Sequence, residues 1–234
     1  MTRKELWFIL YLARLGNRRI HGGDIGIVEA FYSALLALSA FWLGACPFSV
    51  WIGQWALGKD IRDYGDGNPG AFNVFRAGGR KSGFLAIIVD IAKGVPFVFL
   101  AYSYFGLSSV ELVIVGMCAI LGHAFSPFLR WRGGKAIAVT FGVLIGLPQH
   151  ELLFTFAAFV ILGALLIEGD AWMIIISTAG ALAYIAVTRG SSWESLLMLC
   201  MLTVFIIKHF EALRGYPGLR GRLVRWLQSI KGGF

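Results

Sequence analysis

Charged side chains are scarce in this sequence. Asp, Glu, Lys and Arg make up 15% of the 234 residues, whereas soluble domains average about 25%. Hydrophobic residues make up 58%, and the mean hydropathy is +0.74. These values exclude an ordinary water-soluble domain and predict an integral membrane protein. At this length we expect one helical bundle with no separate soluble domain.

Cysteine and histidine are too few and too dispersed for a metal centre. The three cysteines each lie inside an apolar run, without a Cys-x-x-Cys pattern, and we expect buried thiols outside any disulfide framework. The four histidines show no metal-ligand spacing. We therefore predict no metal and no cofactor.

Signals for processing and for covalent catalysis are also missing. The apolar stretch at residues 6–13 is short and no small-residue cleavage site follows it, so no cleavable signal peptide is predicted. The sequence contains no nucleophile elbow and no carboxylate pair at glycosidase-like spacing. Chemistry without a covalent enzyme intermediate is compatible with these absences.

Basic residues outnumber acidic ones, 21 to 13, which gives a formal net charge of +8. Because the basic residues are scattered between apolar runs, contacts with anionic lipid explain the excess better than nucleic-acid binding does. We expect membrane lipids as partners and no nucleic acid.

Seven apolar runs predict an all-α integral membrane protein, a bundle of about seven transmembrane helices. The runs cover about residues 27–57, 83–105, 112–127, 136–147, 152–167, 171–187 and 195–207. Pro47 is expected to kink the first run, and the fourth is shorter than the ~20 residues that a crossing needs. The predicted organisation is an N-terminal interfacial segment (1–25), a transmembrane bundle (26–210) and a basic amphipathic tail (211–234). The tail is predicted to lie as a helix on the membrane surface.

The distribution of basic residues predicts which face of the bundle is cytoplasmic. With seven crossings, a glycine-rich loop at 65–76, the loop at 130–135 and the tail lie on one side, and all three are basic. The connections at 106–111 and 148–151, on the other side, carry no Lys or Arg, so the positive-inside rule places the basic segments in the cytoplasm. The N-terminal segment, with five basic residues, conflicts with this arrangement. The conflict is removed if that segment lies in the interface or if one short run does not cross.

The glycine-rich loop interrupts the apolar pattern with the sequence Gly-Asp-Gly-Asn-Pro-Gly-Ala-Phe-Asn-Val-Phe-Arg at residues 65–76. Glycine allows several backbone amides to converge on an anion, most strongly where a helix begins directly after the loop. Asn73 and Arg76 lie three residues apart and share a face of that helix, where Arg76 can bind a phosphate. A polar loop that only joins two helices is equally compatible with these residue types.

Several ionisable residues inside or beside the apolar runs have two interpretations. Asp90 and Lys93 share a helical face and form either a buried ion pair or a source of positive charge for a polar cavity. His123 ends the third run, where a helix-end hydrogen bond competes with a catalytic role. His209 is a candidate for acid–base chemistry.

The loop after the third run repeats the combination of flexible backbone and cation in Gly133-Gly134-Lys135. Together with the first loop and His209, it brings glycine amides, cations and an imidazole to one predicted face. This combination suits a small polyanionic substrate, phosphate in the simplest case, beside a lipid-soluble partner.

Five motifs follow one another in a specific order and spacing. They are Gly65-x-Gly67-Asn68-Pro69-Gly70-Ala71-x-Asn73-Val74-x-Arg76, Asp90-x-x-Lys93-Gly94, Gly122-His123-x-Phe125-x-Pro127, Gly133-Gly134-Lys135, and a basic residue followed by His209. In this order the chain resembles the bacterial acyl-phosphate-dependent glycerol-3-phosphate acyltransferases, the PlsY family. The resemblance covers about residues 40–215.

The resemblance implies a seven-helix, multi-pass protein of the bacterial inner (cell) membrane, with its active site facing the cytoplasm. Members of the family transfer a fatty acyl group from acyl phosphate to the 1-hydroxyl of glycerol 3-phosphate. The product is lysophosphatidic acid, the first intermediate of phospholipid synthesis, and neither a metal nor an acyl-enzyme is needed. Glycerol 3-phosphate and acyl phosphate are therefore the expected partners, and we expect a monomer.

The resemblance also implies roles for individual residues. The expected substrate- and phosphate-binding set is Gly67, Asn68, Gly70, Asn73, Arg76, Lys93, His123, Gly133, Gly134 and Lys135. The expected catalytic set is His209, Arg76 and Lys135, in which His209 orients the substrate near the reacting centre.

Four positions depart from the family pattern. Asp66 replaces a serine, and a carboxylate beside a bound phosphate is expected to repel it. Phe72 stands where threonine is usual, Ala136 where glycine is usual, and Ala212 where asparagine is usual. An alternative is therefore a non-catalytic or altered-substrate homologue that binds lipid phosphates. A transporter is disfavoured because the chain shows no paired-half symmetry.

Overall fold

The computed structural model describes residues 24–216 and 218–219. The predicted N-terminal segment, residues 1–25, lies almost entirely outside the described residues, and so does most of the predicted tail.

Helices dominate the described part of the chain, which confirms the predicted membrane-protein fold class at that level. They are α1 Asp24–Ala45, α2 Phe48–Leu57, α3 Ala71–Arg76, α4 Arg80–Ala92, α5 Pro96–Ser103, α6 Ser109–Ala124, α7 Ile137–Gly146, α8 His150–Leu166, α9 Asp170–Arg189 and α10 Trp193–His209. Short 3-10 turns cover Ile61–Asp63, Pro127–Leu129 and Ala212–Arg214. Strands β1 Ile167–Glu168 and β2 Gly218–Leu219 pair antiparallel.

The apolar runs of the sequence correspond to these helices. The first run contains α1 and α2, which are separated at Cys46 and Pro47, as expected for a residue that lacks a backbone amide. The second contains α4 and α5, and Pro96 occupies the first turn of α5. By length and composition, four segments can cross a membrane: Val28–Leu57, Arg80–Ser103, Ser109–Leu129 and Asp170–Arg189. The count of seven crossings stays a prediction.

Two hydrophobic cores hold the described helices together. The larger one joins α1 and α5 to the helices α6–α10 through buried side chains that include Ile120, Leu144 and Phe156. The smaller one packs α2, α3 and α4 around the fully buried Ile61 and Val74. Since Ile61 precedes the glycine-rich loop and Val74 lies near its end, this smaller core anchors both ends of that loop.

Polar side chains satisfy the carbonyl ends of two helices near the same end of the bundle. Ser126 Oγ donates to the Ala45 carbonyl at 2.5 Å, and Lys93 Nζ donates to the Cys46 carbonyl at 2.9 Å. Ala45 is the last residue of α1 and Cys46 follows it. The last carbonyls of a helix have no partner inside that helix. At the end of α6, Lys208 Nζ likewise donates a hydrogen bond to the Ala124 carbonyl at 2.8 Å.

The beginning of the C-terminal tail differs from the predicted surface helix. Helix α10 ends at His209, and the chain continues through the 3-10 turn Ala212–Arg214 into strand β2. The sequence Gly-Tyr-Pro-Gly at 215–218 accounts for the difference, because proline and glycine both disfavour a continuing helix. The strand pairing brings this part of the tail against the start of α9.

Candidate functional site

The glycine-rich loop has the predicted form of a tight turn followed by a helix. Gly65 and Gly67 adopt positive φ values of 62° and 71°, a region that glycine occupies without steric cost. Gly70 is the N-cap residue of α3, and its φ of −107° is ordinary. Gly67 donates its amide to the Tyr64 carbonyl at 3.1 Å, so this amide supports the turn itself.

The carboxylate of Asp66 lies at the centre of the loop and is held by four groups. Oδ1 accepts hydrogen bonds from the Asn68 amide at 3.3 Å, from Asn73 Nδ2 at 3.0 Å and from Arg76 Nη1 at 3.3 Å. Oδ2 lies 2.8 Å from Lys135 Nζ. We call Asp66, Asn73, Arg76 and Lys135 the Asp66 cluster. It joins the glycine-rich loop to the loop before α7.

The predicted pairing of Asn73 and Arg76 on one face of α3 is confirmed. Arg76 Nη1 donates to Asn73 Oδ1 at 2.9 Å, and Asn73 Nδ2 also donates to the Asn68 carbonyl at 2.8 Å. A Cβ at Gly65 would lie 2.5 Å from both Arg76 Cδ and Asn73 Oδ1. Gly65 is therefore required twice, by its backbone angle and by the close approach of these two side chains.

The neighbours of Asp66 keep it ionised. Partial burial is the largest single effect and raises the pKa of this carboxyl. The hydrogen bond and charge of Lys135, together with the donors of Asn68 and Asn73, outweigh burial and lower the pKa to about 2. Asp66 is therefore a carboxylate at every physiological pH.

A cavity of about 360 Å³ opens beside the cluster. Its walls come from the glycine-rich loop, the start of α9 and the tail; they are Asp66, Arg76, Lys135, Glu168, Gly169, Asp170, Ala171, Trp172, Ala212, Gly215 and Tyr216. Trp172 Nε1 donates to the Gly215 carbonyl at 2.6 Å, which joins the tail to α9 across this cavity. Lys135 Nζ lies 3.8 Å from Asp170 Oδ2, so it faces a second carboxylate in the same space.

The Gly133-Gly134 pair packs against the end of α6. The Gly134 amide donates to the His123 carbonyl at 3.0 Å, and the Gly133 carbonyl accepts from Lys208 Nζ at 3.0 Å. A Cβ at Gly133 would lie 2.0 Å from the His123 carbonyl oxygen. The Gly134 amide, which the sequence assigned to phosphate, is thus engaged by the protein. The two glycines place Lys135 through tight packing.

Asp90 and Lys93 form the buried ion pair that was one of their two interpretations. Lys93 Nζ lies 2.8 Å from Asp90 Oδ1, and both side chains are 2% exposed. Ser49 Oγ donates to Asp90 Oδ2 at 2.5 Å. Such a pair needs these extra hydrogen bonds to offset the cost of removing two charges from water. None of the contacts described for Lys93 reaches the Asp66 cluster.

His209 is buried at the end of α10. Its Nδ1 lies 2.9 Å from the Phe205 carbonyl, and its Nε2 has no hydrogen-bond partner among residues 24–216. A buried polar atom without a partner is uncommon in folded proteins. His209 does not line the cavity beside the cluster.

A second, larger groove of about 780 Å³ lies against the other side of the glycine-rich loop. It is lined by Asp60, Arg62, Asp63, Gly67, Pro69, Phe128, Leu129, Arg130 and Arg132. Arg62 and Asp60, which both line this groove, form an ion pair, and hydrogen bonding from Arg62 lowers the pKa of Asp60. Of the predicted site residues, only Gly67 belongs to this groove.

The structure shows what three of the departing positions do. Phe72 is 69% exposed on α3 and contributes nothing to the Asp66 cluster. Ala212 lines the 360 Å³ cavity, where its methyl offers no hydrogen bond. Ala136 has a φ of 63°, so it occupies a left-handed conformation that favours glycine. This conformation explains why glycine is usual there.

Sequence reasoning missed the contacts of three residues at the candidate site. Asp66 was expected to repel phosphate, whereas it binds the cations of the site. Asp170 and Lys208 were not assigned roles, although each contacts the loop at 133–135. The signal for Lys208 was present, because the last motif requires a basic residue before His209. Asp170 had no signal, since its contact with Lys135 joins distant parts of the chain.

Sequence and structure comparisons agree with the family resemblance. The sequence profile of the family "Glycerol-3-phosphate acyltransferase" matches residues 34–219. Glycerol-3-phosphate acyltransferases of Streptococcus mutans and Enterococcus faecalis are 41% and 39% identical over 120 and 127 residues, which is 51% and 54% of this chain. The matches cover 56% and 58% of those proteins, so the chain spans less than two thirds of the length of these curated relatives.

Solved structures give the same result over a longer stretch. The chain is similar to crystal structures of PlsY, an integral membrane glycerol 3-phosphate acyltransferase, in its glycerol 3-phosphate and lysophosphatidic acid forms. The TM-scores are 0.70 and 0.65 at 27% sequence identity, and each match covers 78% of this chain and 90% of that one. On these matches, the chain belongs to the glycerol-3-phosphate acyltransferase family.

Proposed function

We propose that this protein is a membrane acyltransferase that moves a fatty acyl group from acyl phosphate to glycerol 3-phosphate, giving lysophosphatidic acid. The observation that carries the proposal is the convergence of Arg76 and Lys135 on one anion position beside a 360 Å³ cavity. A forked guanidinium and an ammonium around one position suit a phosphate monoester. The named relatives, which are glycerol-3-phosphate acyltransferases, support the same substrate.

In this proposal the phosphate of glycerol 3-phosphate binds Arg76, Lys135 and Asn73. All three already hold an anion, the Asp66 carboxylate, at hydrogen-bond distance. Asn68 and Gly70 support the site indirectly, because the Asn68 carbonyl fixes Asn73 and Gly70 begins α3. Binding at this position leaves the glycerol hydroxyls directed along the cavity.

The acyl transfer needs no covalent enzyme intermediate. The 1-hydroxyl oxygen attacks the acyl carbonyl carbon of the acyl phosphate, a new ester C–O bond forms, and the C–O bond to phosphate breaks. Inorganic phosphate leaves with the electron pair and takes up the hydroxyl proton. In this proposal Lys135, while bound to the phosphate of glycerol 3-phosphate, also neutralises part of the charge that develops on the leaving phosphate. Positioning and charge neutralisation supply most of the acceleration.

His209 completes the proposed catalytic set as a positioning residue for the substrate. Its Nδ1 is fixed by the Phe205 carbonyl, which leaves Nε2 as the atom with free hydrogen-bonding capacity among the described residues. We propose that His123, Gly133 and Gly134 contribute indirectly, because their mutual packing supports the backbone at Lys135. For Lys93 we propose a role in holding the helix ends around the site, through its bond to the Cys46 carbonyl.

We further propose that the site faces the cytoplasm of a bacterial inner membrane and that the protein acts as a monomer. The support for the orientation is the excess of Arg and Lys in the loops that form the site, which the positive-inside rule assigns to the cytoplasmic side. This side also supplies the soluble substrate glycerol 3-phosphate.

The decisive experiment measures lysophosphatidic acid formed by the purified full chain in mild detergent or lipid mesophase. The substrates are labelled glycerol 3-phosphate and an acyl phosphate, and the Arg76→Ala variant is the blank. Product above the blank supports the proposal. An equal, negligible yield from both proteins under saturating substrate contradicts it.

A second candidate function is a non-catalytic membrane protein that binds lipid phosphates. The occupation of the anion position by Asp66 and the loss of a donor at Ala212 favour it. It predicts phosphate binding that Arg76→Ala abolishes, without product from any phosphorylated polyol.

A further inference from the structure

The ion-paired charges at the anion position are balanced before any substrate arrives. Arg76 and Lys135 supply two positive charges, and Asp66 and Asp170 supply two negative charges within 4 Å of them. A dianionic phosphate therefore meets a site without the net positive charge that its recognition requires. Unless one carboxylate moves, the incoming charge is uncompensated.

Asp66 is the carboxylate that occupies the binding position itself. Its Oδ1 accepts hydrogen bonds from the Asn68 backbone amide, the Asn73 side-chain amide and the Arg76 guanidinium. Its Oδ2 contacts the Lys135 ammonium. These are the kinds of donor that a bound phosphate oxygen uses. Asp170, by contrast, forms an ion pair with Lys135 alone among the described residues, at 3.8 Å, and its side chain is 60% exposed.

We propose that Asp66 is a tethered competitor for the phosphate of the substrate. In the free protein its carboxylate occupies the phosphate position, and it leaves that position when a phosphate binds. This inference rests on the proposed function, because it concerns the same anion position. It makes Asp66 a determinant of substrate affinity, a role that differs from simple repulsion at a distance.

The loop can release the carboxylate. The Asp66 side chain is 39% exposed, so its path to solvent is open. Gly65 and Gly67, on either side, lack a side chain that would oppose a change of backbone angle. After release, the bonds from Asn73 to the Asn68 carbonyl and from Arg76 to Asn73 remain, so the donors stay in place for a new anion.

Competition and repulsion make different predictions for neighbouring acids. A competitor blocks the site only while its own side chain occupies it, and the apparent Kd rises in inverse proportion to the fraction of time that the site is open. Repulsion acts on any acid at similar range. Glu168 lines the same cavity and makes no contact with a cation among the described residues, which makes it the matched control.

The experiment is isothermal titration calorimetry of the purified full chain with inorganic phosphate. It compares the wild type with Asp66→Asn, Asp66→Ser and Glu168→Gln. We expect both Asp66 variants to bind phosphate roughly tenfold more tightly, as for a site that is open about a tenth of the time. Glu168→Gln is expected to change the Kd less than about twofold. Adding Arg76→Ala to Asp66→Asn is expected to abolish the gain.

Three results would overturn the inference. Equal affinity of the wild type and both Asp66 variants means that the carboxylate does not occupy the phosphate position. Weaker binding in both variants means that Asp66 organises the site. If Glu168→Gln gains as much phosphate affinity as the Asp66 variants, the effect of Asp66 is long-range repulsion.

The product assay keeps this inference separate from the proposed function. Lysophosphatidic acid formation, with an unchanged phosphate Kd in the Asp66 variants, overturns only the competition. Tighter phosphate binding without product from any variant upholds the competition and contradicts the acyltransferase. If both hold, we expect the KM for glycerol 3-phosphate to fall in Asp66→Ser with a kcat within about threefold of the wild type.

Discussion

Gly134 lies directly on the imidazole of His123, where a Cβ would come within 2.3 Å of Nε2. Both residues are buried, and the Gly134 amide bonds to the carbonyl of the same histidine. Lys135 follows immediately in the chain, so this contact fixes the backbone from which the Lys135 side chain extends. The Gly-Gly-Lys motif is thus a packing device that positions a cation.

Gly134→Ala is expected to lower kcat/KM by at least about tenfold, because displacing a positioned group by a fraction of an ångström is costly in catalysis. The measurement is steady-state kinetics on glycerol 3-phosphate, with phosphate titration as a readout of Lys135. The double variant with His123→Ala removes the ring that causes the clash, and part of the phosphate affinity is expected to return. An active single variant would show that the loop adjusts without moving Lys135.

Ala136 tests the left-handed backbone after Lys135. Ala136→Val is expected to lower the free energy of unfolding by at least about 2 kcal/mol, since a β-branched side chain is poorly tolerated at this φ. Ala138→Val, two residues later inside α7, is the matched control and is expected to cost less than about 1 kcal/mol. Thermal unfolding in one detergent compares them. Equal losses would assign the effect to side-chain volume.

Lys208 joins α10 to the loop that carries Lys135. Lys208→Met removes its bonds to the Ala124 and Gly133 carbonyls and is expected to cost about 1–3 kcal/mol, because both acceptors lose their partner. Lys81→Met, exposed at the start of α4, is the control and is expected to stay within about 0.5 kcal/mol. The melting temperature and the phosphate Kd are the two readouts. An unchanged phosphate Kd in Lys208→Met would mean that the two Lys208 hydrogen bonds do not affect phosphate binding.

Asp66 gives a prediction about pH. Its pKa is lowered from 3.8 to about 2, so its contribution to stability is present above pH 3.8 and is lost as the pH falls through about 2. The carboxylate therefore competes equally throughout the working range. We expect the ratio of phosphate Kd values, wild type over Asp66→Asn, to stay constant between about pH 5 and 9. A ratio that approaches one near pH 5 would mean that Asp66 takes up a proton there.

The helices and the local side-chain pairs were predictable from the sequence, for a physical reason. Apolar runs fix the helices, and a spacing of three residues fixes the Asn73–Arg76 and Asp90–Lys93 pairs, because helical geometry decides both within one turn. The break at Pro47 followed from the missing amide. The family motifs then identified the loops that form the site.

Long-range contacts were not predictable. The sequence alone suggested that Asp66 repels phosphate, because no local pattern shows that Arg76 and Lys135 both approach its carboxylate. The fold brings both cations to one carboxylate. The β1–β2 pairing likewise depends on the tail returning to the start of α9, a meeting that no local pattern encodes.

The contacts of Lys135 and its loop also limit how the chain threads the membrane. Loops that touch lie on the same face, so the number of complete crossings between them is even. Because Asp66 contacts Lys135, the stretch from α4 to α6 crosses the membrane an even number of times. Because Lys135 contacts Asp170, the same holds for the stretch that contains α7 and α8. The bond from Lys208 to Gly133 extends this rule through α9 and α10. The short helices α7 and α8 therefore either both cross the membrane or both do not. In both cases the loops that form the site lie on the same membrane face.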